Sequence, residues 1–197
     1  ILGAWLVQSW RADQALLSEA RRQAQTLAAL ERMGAYAYSE VNYDPDSYPK
    51  AGFGIGGSGG NVGAPDWLKA ALDSRPFYEP RLLSVGRERR HSVAEWNYFA
   101  ALPDLRAVND QGGVVDDRAI AILSRVSGLE YLNCDGPVTD QGLNTLASMP
   151  SLRILAINRA EGTTASGIAQ LASLPRLERL QVFGSQATAA AVLGIAP

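Results

Sequence analysis

The chain has 197 residues, of which 47% are hydrophobic and 19% charged, a profile that fits one foldable domain with an appendage. A formal net charge of −2 gives no basis for a general affinity for nucleic acid or an anionic membrane surface. Cys134 is the single cysteine, which excludes an internal disulfide and leaves the redox compartment unreadable.

Residues 1–11 open in apolar sequence. Ile1 to Val7 is too short to span a bilayer, which needs about 20 apolar residues. Followed by Trp10 and Arg11, it reads as the trailing end of a membrane helix with an interfacial aromatic and a basic flank. An apolar helix start packed on the domain is the alternative. Residues 12–33, free of Gly and Pro and rich in Ala, Leu, Glu, Gln and Arg, predict an amphipathic helix. Its apolar stripe (Leu16, Leu17, Ala20, Ala24, Leu27, Leu30) is thin, which suits a spacer, a weak coiled-coil seam or a helix packed edge-on against its own domain. Gly34 stops it, and Tyr36, Tyr38, Val41 and Tyr43 predict a strand.

Residues 34–81 are expected to form an α/β cap over the first apolar layer of the C-terminal part of the chain. Within them, residues 51–64 form a glycine-rich loop. Gly52-Phe53-Gly54-Ile55-Gly56-Gly57 satisfies G-x-G-x-x-G, but no strand precedes it directly and the next helix signal waits until Pro65-Asp66. A pyrophosphate needs a helix N-terminus at the last glycines, so the loop is a flexible insertion and no cofactor is expected. Phe77 to Val85 reads as a strand. Arg87-Glu88-Arg89-Arg90-His91 reads as a solvated basic loop; a lone His without Cys partners makes no structural zinc site.

From residue 82 onward one pattern recurs. Leu129, Leu132 and Cys134 return as Leu152, Leu155 and Ile157 (152 − 129 = 23), then as Leu177, Leu180 and Val182 (177 − 152 = 25). Leu143, Leu146 and Met149-Pro150 return as Ile168, Leu171 and Leu174-Pro175. Leu105, Val108, Val114, Leu123 and Val126 form a looser upstream copy, and Leu83, Val85, Trp96, Phe99 and Leu102-Pro103 a degenerate first one. Each unit is a short strand plus a short helix, capped by residues such as Thr139 and Asp140. A unit that small buries no core alone and must stack on its neighbours.

The L-x-x-L-x-C opening at Leu129, followed by Val138-Thr139-Asp140-Gln141-Gly142-Leu143, resembles the leucine-rich-repeat family. The similarity is to the V-T-D-x-G-L variant found in F-box-type repeat proteins and in membrane-anchored bacterial proteins of the planctomycete type. It spans residues 82–197. Thr163 to Ile168 lacks the Asp, and Ala187 to Val192 keeps little beyond Thr188. The resemblance implies an α/β fold: a short solenoid with parallel strands on its concave face and short helices on its convex face. An N-terminal helix and α/β cap precede it. It also implies a single-pass membrane tether. Val192, Leu193 and Ile195 leave an apolar edge, so the repeats are expected to continue beyond 197 or to pack on another copy.

No catalytic constellation stands out. Asp104, Asp110, Asp116, Asp117, Asp135 and Asp140 lack calcium-loop spacing, and no serine lies in a nucleophile elbow. No metal site is expected, and Cys134 occupies an inward apolar slot. If Leu132 and Cys134 face inward, then Tyr131, Asn133 and Asp135 face out, as do Ile154, Ala156 and Asn158, and Arg179, Gln181 and Phe183. In the looser unit the matching positions are Ala107, Asn109 and Gln111. Aromatic, aliphatic and Arg side chains in one column are the types that anchor protein interfaces. The expected function is therefore non-enzymatic recognition of a protein partner, unidentified from the sequence, by a membrane-tethered repeat domain. The alternative is a structural envelope protein that assembles through its N-terminal helix.

Overall fold

A computed structural model of the chain describes residues 14–38 (except 16, 19, 20, 23, 24 and 27), 82–86, 91–102 and 104–184. The expectations for residues 1–11, the strand beyond 38, the glycine-rich loop, the helix at Pro65, the strand start at Phe77, Arg87 to Arg90 and the apolar C-terminal edge lie outside these residues. Among the described residues, no helix is long and apolar enough to cross a membrane.

The architecture is α/β. Five parallel strands alternate with helices in the order β2 (Leu82–Val85), α1 (Val93–Ala100), β3 (Ala107–Asp110), α2 (Asp117–Leu123), β4 (Tyr131–Cys134), α3 (Asp140–Leu146), β5 (Ile154–Ile157), α4 (Ala165–Gln170) and β6 (Arg179–Val182). A sixth strand, β1 (Ala35–Tyr38), pairs antiparallel with β2 at the edge of the sheet. Strand order in space follows strand order in sequence.

The register explains the leucine spacing. Leu83, Val108, Leu132, Leu155 and Leu180 are successive cross-strand partners. Period-2 alternation turns this row, with Val85, Cys134 and Ile157, toward the helices. There it meets Trp96, Phe99, Ile120, Leu123, Leu143, Leu146, Ile168 and Leu171 in one apolar cluster. Leu132 and Leu155 are completely buried. Replacing such a leucine by alanine costs about 2–5 kcal/mol, lost transfer energy plus a cavity.

Each helix begins where a short polar side chain accepts backbone N–H groups that have no partner within the helix. Ser92, Asp116, Thr139 and Thr164 serve in turn as N-caps. Ser92 and Glu95 complete a capping box, with Glu95 Oε2 accepting the Ser92 N–H at 2.7 Å. The capping role falls to Thr139 and not to Asp140, which is the first helical residue of α3.

The N-terminal helix reaches residue 32, where Gly34 turns the chain into β1 at φ +69°. That backbone region carries a steric penalty for any side chain, which is why a glycine ends the helix. Leu30 is fully buried in the main cluster and Met33 packs against it, so the helix's end is anchored on its own domain. Earlier positions on it, Arg21, Arg22 and Gln25 among them, are exposed.

Candidate interaction surface

The sheet face opposite the helices carries the positions expected to face out, and alternation does place them there. Exposure does not follow. Tyr131 is 1% exposed, Ile154 2%, Ala156 1% and Asn133 7%, and in the looser unit Ala107 is 0% and Asn109 4% exposed, so these six are corrected from surface to interior. Leu82, Ala107, Tyr131 and Ile154 are register partners and form a second apolar cluster of their own. Rungs about 4.8 Å apart bring adjacent side chains of the row into contact.

Asn133 is buried by hydrogen bonding across strands. Its Nδ2 donates to Asn109 Oδ1 (3.0 Å) and to the Asp110 carbonyl (2.9 Å). Its Oδ1 accepts from Asn158 Nδ2 at 2.9 Å, and the same Asn158 group donates to Asp135 Oδ1. A buried amide so satisfied fixes strand register and leaves little for a ligand.

What stays accessible is narrower than expected. Asp135, Asn158, Arg179 and Gln181 are partly exposed, and Phe183 is 57% exposed. Gln111, the matching position in the looser unit, is exposed too. The accessible strip thus runs along the C-terminal ends of β4 and β5 and across β6, whose four residues are all partly exposed.

Two residues behave unlike their sequence readings. Asp110 lies at 0% exposure in the slot that Val85, Cys134 and Ile157 fill elsewhere. Its carboxylate accepts N–H groups from Gly112 (2.8 Å), Val114 (3.0 Å), Val115 (2.8 Å) and Asp135 (3.0 Å), tying the β3–α2 connection to the next unit. The signal was present in the sequence: a charge at an inward slot, followed by Gly112-Gly113. His91, expected in a solvated loop, has a side chain only 1% exposed and packs edge-on against Trp96 and Phe99.

Cys134 is fully buried. Burial first, then the charges of Asp110, Asp135 and Asp117, push its thiol well above the ordinary value, which suits packing and opposes nucleophilic chemistry. Among the described residues, no group of three or more His, Cys, Asp or Glu side chains is placed to hold a metal ion.

The T-D-x-G motif is shared between units. Asp117 in α2 accepts the Thr139 N–H (3.0 Å) and hydroxyl (2.5 Å) of the following unit. Asp140 does the same for Thr164, at 2.8 Å from both N–H and hydroxyl. A Cβ on Gly142 would overlap Asp117 Oδ1, and one on Gly167 would overlap Asp140 Oδ1. The glycine is small because the preceding unit's carboxylate occupies that space. Thr164 is followed by Ala165, so α4 has no such carboxylate at its first position.

No protein-family model matches the chain, and no curated protein matches it.

Proposed function

We propose that the chain is a leucine-rich-repeat solenoid that recognises a protein partner without catalysis, tethered to a membrane as its resemblance implies. The observation that carries this reading is Phe183, 57% exposed at the end of a parallel array and flanked by the partly exposed Arg179, Gln181 and Asn158. A large exposed aromatic beside an Arg and amides is the composition of an interface anchor. The leucine row and the inter-unit Asp–Thr clamps support the solenoid reading, because each unit completes its neighbour. The envelope-assembly reading has less support, since Leu30 and Met33 commit the helix's end to its own domain.

A photo-crosslinking amino acid at position 183 of the full chain tests the proposal in its native cell. The expected result is one discrete protein adduct, weakened by Gln181→Glu and absent when the probe sits at the exposed Gln141 of α3. Equal labelling from both positions, or no adduct at 183, contradicts it.

A further inference from the structure

The residue just before each N-cap occupies one slot of the repeat: His91, Val115, Val138 and Thr163. Val115 and Val138 fill it at 0% and 1% exposure. In the first unit the slot holds an imidazole instead, with ring centroids 5.6 Å from Trp96 and 5.2 Å from Phe99. Beside it, between the start of α1 and the β3–α2 connection, lies a cavity of about 170 Å³. Its lining includes His91, Trp96, Asp116, Arg118 and Ile122. At about 30 Å³ per water, that is room for about six water molecules, or a compound the size of one amino acid.

The lining combines an apolar wall with two opposite charges that do not neutralise each other. Asp116 Oδ1 accepts the N–H groups of Arg118 (3.1 Å) and Ala119 (3.0 Å). Its second oxygen has no hydrogen bond among the described residues. Arg118 is exposed, and among the described residues it enters no ion pair. It stands in the first turn of α2, where the helix dipole disfavours a cation. The matching residues of the next two units are the neutral Gln141 and Ser166. Helix stability does not call for an Arg at 118, and the ring at 91 packs on Trp96 and Phe99 where the next two units hold a valine. Both departures from the repeat line the same cavity.

We propose that this cavity binds a small zwitterion with an apolar side chain, of the class of free α-amino acids. The ligand's carboxylate meets the Arg118 guanidinium, its ammonium meets Asp116 Oδ2, and its side chain lies against Trp96 and Ile122. A simple anion is disfavoured by the Asp116 carboxylate, and a simple cation by Arg118. The site is separate from the strip around Phe183 and does not depend on it.

The test is NMR titration of the full chain, following the Trp96 indole N–H as leucine is added to about 50 mM, a range that captures millimolar affinity. Isocaproate, lacking the ammonium, and isoamylamine, lacking the carboxylate, are the comparison probes. Leucine is expected to give a saturable shift, with each single-charge analogue weaker by roughly tenfold or more. Arg118→Gln, which installs the next unit's residue, is expected to weaken leucine but not isoamylamine. Asp116→Asn, which keeps a competent N-cap, is expected to weaken leucine but not isocaproate. Unchanged far-UV circular dichroism shows that both variants are folded. Absence of a saturable shift, isocaproate binding as tightly as leucine, or undiminished leucine binding by folded Arg118→Gln overturns the proposal.

Discussion

The junction between α1 and α2 and the two later junctions share a register and a leucine row, yet they are fastened differently. At the later two, Asp117 and Asp140 reach across to Thr139 and Thr164, and Gly142 and Gly167 leave room for them. At the first, the residue in the Asp position is Val93, and the residue in the Gly position is the fully buried Ala119. The carboxylate and the glycine are present together or absent together. A motif read within one unit, T-D-x-G, is therefore a statement about two units: each Asp acts on the Thr and Gly of the next.

The strongest way to break the comparison is to attack what all junctions share. Leu155→Ala, in the middle of the row, is expected to lower stability by about 2–5 kcal/mol in denaturant unfolding, regardless of any clamp. Next comes the clamp itself. Gly142→Ala forces Asp117 aside and is expected to cost about 1–2 kcal/mol, the worth of the two hydrogen bonds given up. In an Asp117→Val background, which copies Val93, the same Gly142→Ala change is expected to lose most of that penalty, leaving the tight approach of Val138 Cγ1 at 3.0 Å. An unchanged penalty in that background would mean the glycine serves something other than the carboxylate.

The smallest effect concerns the surface charges that line the unit edges. Arg153 holds Glu178 through two hydrogen bonds (2.7 and 3.0 Å) and approaches Glu130 at 3.6 Å. The Arg153 hydrogen bond lowers the Glu178 pKa below its ordinary 4.5. A lowered carboxylate pKa contributes stability that is present above the ordinary value and is lost as pH falls through the lowered one. Both side chains are well exposed, so the contribution sits at the weak end of surface pairs. Arg153→Gln is expected to raise the Glu178 pKa toward 4.5 by NMR titration, with little change in thermal stability.

The legible part of the fold was the part governed by period. Leu132, Leu155 and Leu180 declared their row because strands of fixed length recur at near-constant intervals, and Thr139 declared its cap because the hydroxyl precedes an apolar helical stripe. Illegible parts depended on neighbours from other units. Nothing local distinguishes Tyr131 or Ile154 from an exposed strand residue; only the register, which sets them beside each other and Tyr131 beside Ala107 in one apolar cluster, marks the face as buried. Asp140 looked like a cap because its destination, Thr164, lies 24 residues downstream. His91 sat beside four charged residues, and only its alignment with Val115 and Val138 marks it as an inward position. The accessible surface consequently shrank from twelve expected positions to six, Gln111 and the five around Phe183.

Methyl–methyl NOEs address the stacked row directly. The account predicts contacts from Leu132 to Leu155 and from Leu155 to Leu180. It predicts none of comparable strength from Leu132 to Leu180, two strands and about 10 Å apart. Contacts that skip Leu155, or leucines that report separate surroundings, would contradict it.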